Sequence, residues 1–432
     1  MEIKCGHIVS ILLFNFCAVA VGWLSVLSWT ATVSQVKVLW GGVVSRYNVP
    51  FFHQDTTSDV ESRPKHSVQE YVNAILGPDH AAVPRLGCPA PDSKRYNSIR
   101  EPAFTTQEID YIFAVRAVRS LERLPTFLGA VVGAMHFLGP HRCALTIITT
   151  GWRPQIEDVL TDLRTGIEPL GAVYNYTSFP LGSRTYGHRN QVIDAVRHAT
   201  KEVSEDATIV FLDDVDVCSE DLLELILQRK NLGADMTCGM QWSHRESSDT
   251  YLFRSDGTCR DMQGDKFGHV IPEKWSEGTD VKEYFWKSPK DQARFNEKRP
   301  FQVFSCWGGA AAFAASTFTR LEQKFRLPIK GAECHQPDTR LFCKDMWSHG
   351  RGKIAIVPSV NTVRNRDGDF NDKESTGYTS DLVRGQDTNG DRIDWVKEPP
   401  KEVFCSKKRW EAWDVGLPLD DPWDFEWQDE IS

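Results

Sequence analysis

Between residues 106 and 233, short apolar runs alternate with segments that are apolar on one helical face. No other feature of the chain restricts its fold so strongly. "YIFAV" (111–115), "ALTIIT" (144–149) and "TIVFL" (208–212) have the length and content of buried strands. "PTFLGAVVGAMHFLG" (125–139) reads as a helix with Pro125 in its first turn. "QIEDVLTDLR" (155–164) places Ile156, Val159, Leu160 and Leu163 on one face, and "NQVIDAVRHATKEV" (190–203) does so with Val192, Ile193, Val196, Ala199 and Val203. This order of strand, helix, strand, helix, helix, strand is that of an α/β fold. It predicts a Rossmann-type, mostly parallel sheet with helices on both faces.

In open sheets of this kind ligands bind beyond the carboxyl ends of the strands. "IVFLDDVDVC" (209–218) sets Asp213, Asp214 and Asp216 at such an end. Ser219 follows as an N-cap candidate, with Glu220 and Asp221 suited to the positive end of a helix that Gly233 terminates. Helix capping accounts for one or two of the acids, but not for three beside a strand end. Neighbouring carboxylates raise one another's pKa unless a cation lies between them. Oxygen-only donors on a short turn suit Mg2+ or Mn2+, and an apolar strand followed by Asp-x-Asp is how nucleotide-sugar transferases hold a metal on the diphosphate.

Other candidates stand beside plainer readings. Arg184, His188 and Arg189 precede an amphipathic helix and could face an anion at its N-terminus, or form a solvated basic rim. "SCWGGA" (305–310) could let backbone approach a sugar with Trp307 stacked on it, or could be a packed Trp beside a tight turn. Asp338 and Asp345 lie two helical turns apart, hence on one face. His349, four residues on, is either a further metal ligand or a surface histidine. "DTNGDRIDWVKE" (387–398) and "DGDFND" (367–372) imitate calcium loops, but Arg392 and Asp372 stand where such a loop needs Gly.

The remaining chain bounds the setting. A net charge of −9 without a long basic run argues against nucleic acid as a partner. Residues 8–33 carry no charged side chain and exceed the ~20 residues that cross a bilayer. They also exceed the apolar core of a cleaved signal peptide. They predict a signal anchor after a cytoplasmic tail at 1–7. No second span follows, so the remainder lies on one side of the membrane. The sequon Asn175-Tyr176-Thr177 favours the lumen and glycosylation at Asn175. Eleven cysteines without a CxxC pair point to disulfides rather than structural zinc, with the pairing open. Residues 34–105 read as a stem, 106–363 as the catalytic domain with a polar insertion or lid at 243–300, and 364–432 as a loop-like extension ending in an acidic, Trp-rich tail.

Several segments in order resemble the fungal capsule-associated α-1,3-mannosyltransferases, glycosyltransferase family 69. Phe211-Leu212-Asp213-Asp214-Val215 followed by Cys218-Ser219-Glu220-Asp221 is similar to the family's Phe-x-Asn-Asp-Val and Cys-x-Glu-Asp. "ADMTCGMQW" (234–242), "SDTYLFRSDG" (248–257), "VFSCWGG" (303–309) and "LFCKDMW" (341–347) resemble further motifs, and His188-Arg189-Asn190 is similar to its Leu-Arg-Asn. The resemblance covers roughly 110–363. Departures are Asp213 for Asn, Gly308 for Asn, Asp338 for Glu, and Ser248 and Tyr251 for Tyr and Trp. The resemblance implies a GT-A-like fold, a single-pass type II anchor in the Golgi membrane with a luminal catalytic domain, GDP-mannose as donor, a mannose-containing glycan acceptor, Mn2+ or Mg2+, and an α-1,3 product formed with retention. The family pattern aligns on Asp213-Asp214, whereas the plain Asp-x-Asp reading selects Asp214 and Asp216 to hold the metal and diphosphate; His349, which has no clear counterpart in the family, joins the metal ligands only through its spacing from Asp345. By the resemblance Asp213, Arg184, Arg189, Arg254 and Trp307 contact the donor, and Asp338 and Asp345 join Asp214 as catalytic candidates. A transferase using another nucleotide sugar and a non-catalytic glycan-binding protein remain as alternatives.

Overall fold

The computed structural model describes residues 65–77, 83–100, 108–116, 120–151, 153–179, 185–197, 201–245, 250–253, 258–267, 284–285, 287–320, 323–329, 333, 336–364 and 372–403. The expected anchor at 8–33, the tail beyond 403, Arg184 and Arg254 lie outside them. Among the described residues no helix is long and apolar enough to cross a membrane.

In chain order the strands are β1 Ile109–Arg116, β2 Cys143–Thr150, β3 Val173–Phe179, β4 Val203–Leu212, β5 Met236–Arg245, β6 Thr250–Phe253, β7 Phe301–Gln302, β8 Ala310–Ala314 and β9 Ile354–Val363. The helices are α1 Val68–Leu76, α2 Leu124–Leu138, α3 Pro154–Ile167, α4 Thr185–Arg197, α5 Ser219–Leu232, α6 Pro289–Asn296, α7 Ser316–Thr319, α8 Asp338–Ser348, α9 Asp372–Thr376 and α10 Thr379–Leu382. All nine strands form one sheet in the order β3-β2-β1-β4-β8-β5-β9-β7, with β6 paired to β5. β1 to β4, β5 and β9 share one direction, while β6, β7 and β8 run against it. The mixed α/β fold and the predominance of parallel strands agree with the sequence.

Continuous apolar strands signify a sheet covered on both faces, and the side-chain alternation of β1 shows it. Tyr111, Phe113 and Val115 join a core with α1, α2, α3 and α5. Ile112 and Ala114 join the opposite core with Val192 and Ile193 of α4 and Phe342 and Met346 of α8.

Four expectations change. The helix expected at 190–203 ends at Arg197, and Val203 instead opens β4, opposite Ile109. Ser219 is the first residue of α5. The N-cap is Cys218, whose N–H donates to Asp221 Oδ2 at 2.7 Å. The packed unit extends past 106–363 at both ends. Tyr71, Val72, Ile75, Tyr96 and Ile99, expected in a stem, are buried in the core. On the other side, α9 and α10 seal residues expected in loops: Lys373 reaches Asp221 at 2.9 Å with neither side chain exposed.

Candidate active site

The strand order reverses between β1 and β4, which is where an open α/β sheet leaves a crevice. β1 ends at Arg116 and β4 runs straight into Asp213. Arg116 Nε lies 2.8 Å from Asp213 Oδ1. Arg189, on the first turns of α4, reaches Asp213 Oδ2 at 3.2 Å and Asp338 Oδ2, at the head of α8, at 2.6 Å. Trp307 Nε1 donates to Asp213 Oδ2 at 2.7 Å, and the Arg189 guanidinium lies 4.5 Å from the Trp307 ring centre. The Asp213 N–H donates to Gly309 O. Asp213 is thus the hub of the cluster. Burial alone would raise its carboxyl pKa. The charges of Arg116 and Arg189, with hydrogen bonds from Arg116 and Trp307, outweigh burial and hold it well below the usual carboxylate range. In return the Asp213 charge, with Asp338 and Asp214 beyond it, raises the Arg116 pKa.

Asp214 is half-buried at the same turn. Asp216 is buried, pairs with Arg123, and exchanges backbone hydrogen bonds with Val363 at the end of β9. A cleft opens at the ends of β1, β2 and β4. Its walls are Ala114, Val115, Ile148, Val192, Phe211 and Leu212, and Arg116, His188, Arg189 and Asp213 supply its polar groups.

The expected residues therefore separate. Asp213, Asp214, Asp216, Arg189, Trp307 and Asp338 gather here; Asp345 and His349 do not. On α8, Asp345 lies about 10 Å beyond Asp338 along the axis. There both its oxygens bind Arg326 at 2.7 Å, in a network with Glu333 and Lys344. His349 follows α8, its Nδ1 2.7 Å from the Asp345 carbonyl oxygen. It precedes β9, whose far end, on the order of 30 Å away, meets Asp216. His349 cannot share an ion with Asp216. Trp307 is 5% exposed, with Arg189 over its ring and Phe211, Phe313 and Phe325 around it. Stacking on a sugar is excluded in this arrangement. Asn175 is exposed on β3.

Sequence reasoning missed Arg116 and Arg123. Arg116 had a signal: it ends an apolar strand just as Asp213 does. Arg123 had none, since only the tertiary fold brings it to Asp216. The cysteines pair as Cys88–Cys218 and Cys238–Cys306, while Cys143, Cys259 and Cys343 are buried thiols. The first disulfide lies directly behind the acidic turn, and the second ties β5 to the turn carrying Trp307.

The fit of a divalent ion follows from charge and donor type. Arg116, Arg123 and Arg189 face Asp213, Asp214, Asp216 and Asp338, so these described groups carry one net negative charge. Such a site repels a diphosphate unless a cation joins it. Among the described residues no three His, Cys, Asp or Glu side chains converge on one point. Mg2+ and Mn2+ do not need three, because one or two carboxylates suffice when phosphate and water complete the shell. The oxygen donors at this turn are compatible with an ion on those terms; Asp214 is half-buried there, whereas Asp216 is buried against Arg123.

The family described as Cryptococcal mannosyltransferase 1 matches residues 110–345. The α-1,3-mannosyltransferase CMT1 of Cryptococcus neoformans var. neoformans serotype D is 27% identical over 321 residues, covering 67% of this chain and 66% of that relative. Among solved structures, GalNAc-T7 with UDP, GalNAc and Mn2+ has a TM-score of 0.36 at 13% identity, covering 61% of this chain and 46% of the other. The mannosyltransferase PcManGT from Pyrobaculum calidifontis, in complex with GDP-Man and Mn2+, has a TM-score of 0.35 at 13% identity, covering 64% of each chain.

Proposed function

This chain belongs to the family described as Cryptococcal mannosyltransferase 1, and on that premise we propose that it is a glycosyltransferase that moves mannose from GDP-mannose to a mannose-containing glycan, forming an α-1,3 linkage with retention. The observation that carries the reading is the cluster at the strand-order reversal, where arginines and carboxylates alternate around Asp213. The GT-A reading is supported by the same sheet, whose parallel strands deliver the acidic turn to the crevice.

Asp214 and Asp216 would hold Mn2+ or Mg2+. The bound ion would offset the diphosphate charge as the sugar bond breaks. The protein's own groups divide the remaining work. The Arg116 side chain is 33% exposed against 7% for Arg189. Arg116 therefore meets the diphosphate, while Arg189 holds Asp213 and Asp338 in place. Fixed cations beside the departing oxygen stabilise charge as it develops. Asp338, paired with Arg189 at the head of α8, would contact the acceptor or the positively charged sugar. A retaining transfer does not require a strong base, since the acceptor proton can pass to the departing diphosphate. Anchoring through residues 8–33, a luminal Golgi location and glycosylation of Asn175 complete the proposal. Two disulfides in the described residues support an oxidising compartment.

The test uses the purified full-length chain with Mn2+, a panel of nucleotide sugars and mannose-containing acceptors. GDP released from GDP-mannose alone, with a new α-1,3-linked mannose in the product, is the expected outcome. Release of UDP from a UDP-sugar overturns the donor, and no turnover from folded protein overturns the enzyme. Asp214→Ala should lower turnover at least about 100-fold with unfolding temperature unchanged, and a fully active variant would refute the site.

A further inference from the structure

Among the described residues, one edge of the sheet carries none of the usual guards against a further strand. β3 stands at the end of the strand order, and no described strand pairs with its outer side. The unpaired N–H and C=O groups of such an edge are a template for another chain, and proteins blunt them with short strands, bulges, charged side chains or Pro. The opposite edge obeys that rule, since β7 is only Phe301–Gln302. β3 does not. Its sequence, VYNYTSF, is seven residues long and has no charge, no Pro and no Gly. Its pairing with β2 runs from Ala144 and Val173 to Thr150 and Phe179 without a shift in register, so no bulge turns it away. Aromatic and β-branched residues dominate it, the composition of segments that stack strand on strand.

What this edge does carry is the sequon. Side chains alternate along a strand. Tyr174 is buried, its hydroxyl donating to the Leu160 carbonyl oxygen at 2.6 Å, and Tyr176 packs against the same core. Asn175 and Thr177 therefore share the opposite face, and both are exposed. The amide that accepts an oligosaccharide and the hydroxyl that completes the sequon are thus both on the surface. Attachment replaces one Asn175 amide hydrogen with the anomeric carbon of a diphosphate-activated oligosaccharide, whose carrier leaves with the bonding electron pair while the amide proton is released. A strand added to β3 would lie about 4.8 Å away and bring a side chain to about 5 Å from Asn175. A bulky oligosaccharide rooted at Asn175 fills that space. We propose that the oligosaccharide on Asn175 guards the β3 edge, and that the partner it excludes is a second copy of this chain pairing through its own β3. A contact of one strand with its own copy is self-complementary and closes on itself as a dimer. The inference rests on the luminal placement and glycosylation of Asn175 proposed above.

Light scattering of the full-length protein in detergent, over a range of concentrations, tests it in the native chain, Asn175→Gln, Thr177→Ala and Thr177→Lys. Mass spectrometry of the peptide containing Asn175 follows the oligosaccharide. All of these variants remove the sequon, but only Thr177→Lys sets a charge on the exposed face of β3. The native chain should carry the oligosaccharide. Asn175→Gln and Thr177→Ala should raise the fraction of chain in assemblies larger than the native one at least about threefold, increasing with concentration. Thr177→Lys should keep the native size, because a charged side chain protects an edge by itself. Native size in either uncharged variant, with the native chain glycosylated, overturns the inference alone. So does association of Thr177→Lys equal to that of Thr177→Ala, since it traces to folding without the oligosaccharide or to another surface. A native chain with unmodified Asn175 overturns the proposed glycosylation itself, and the inference with it.

Discussion

Two acids seven residues apart, Asp213 and Glu220, show how environment sets the fate of a carboxylate. Asp213 has arginines on both sides and is held ionised. Its contribution to stability is present above the unfolded-state value, near pH 4, and is lost as pH falls below it. Glu220 is 2% exposed and receives a hydrogen bond from Tyr96 Oη at 3.2 Å, with Asp221 and Glu224 as acidic neighbours. Burial, with the charge of Asp221 adding to it, pushes its pKa up to about 7. Asp261, buried beside Asp265, is likewise raised to about 7, chiefly by burial. The sign is opposite to that of Asp213. The folded state holds protons that the unfolded chain releases near pH 4.5, so stability falls as pH rises from about 4.5 through 7. Thermal unfolding followed between pH 5 and 8 should show that decline. Glu220→Gln should leave the unfolding temperature unchanged near pH 5 and raise it at pH 8, by an amount corresponding to about 1–3 kcal/mol. A variant with the native slope would show that Glu220 is ionised in the fold.

At the scale of elements, the legible parts were those that local pattern determines. The middle of β1, most of β2 and the second half of β4 are buried runs of largely apolar residues because both faces of the sheet are covered. α3 shows its stripe because one face meets solvent. α1 was legible too: Ser67 and Glu70 form a capping box, and Tyr71, Val72 and Ile75 lie on its buried side. Reading polar surroundings as a stem hid it. The insertion of β8 between β4 and β5 was not legible, because "AAAFA" specifies neither direction nor neighbour. At the site, the acids were visible because they end a strand and Arg189 because it opens a helix, whereas Arg116 and Arg123 reach the acids from β1 and from the turn before α2.

The Gly308-Gly309 pair belongs to the same scale. Gly308 has φ +60°, and a Cβ there would lie 1.7 Å from the Gly239 carbonyl oxygen. Its backbone packs on β5 next to Cys238, which is joined to Cys306. The family's Asn cannot occupy this position in this chain. Gly308→Asn should cost at least about 3 kcal/mol, from the clash and from the positive φ together. Gly233 has a similar φ of +58° but open space around it, so Gly233→Asn should cost less than about 1 kcal/mol. Urea unfolding of the two variants makes the comparison. Similar losses would show that conformation rather than contact governs Gly308.

At the scale of the whole molecule, the sheet does not stand without the segments that precede and follow it. Arg95 binds Glu224 of α5 at 2.7 Å through a pair of nearly buried side chains, and Tyr96 donates to the same glutamate at 3.0 Å. Cys88 is joined to Cys218 at the cap of α5. From the other side, Thr379 Oγ1 donates to Asp221 Oδ1 at 2.6 Å, Lys373 pairs with the same acid, and Asp391 accepts from Gln228 and Arg299. α5 is therefore held by both flanks, and α5 begins three residues after Asp216. Removing one partner of a buried charge pair costs about 3–5 kcal/mol, and removing a disulfide that closes a long loop about 2–5 kcal/mol. A fragment limited to 106–363 loses Lys373, Arg95 and Cys88 together. It leaves Asp221 and Glu224 buried without their cations, a deficit comparable with the whole stability of a typical domain. Such a fragment should show no cooperative thermal transition and rapid proteolysis, and should bind no nucleotide. A fragment of 64–403 should unfold cooperatively, and under reducing conditions at a lower temperature. If 106–363 folded cooperatively, the flanks would be accessories to α5 and the acidic turn would be held by the sheet alone.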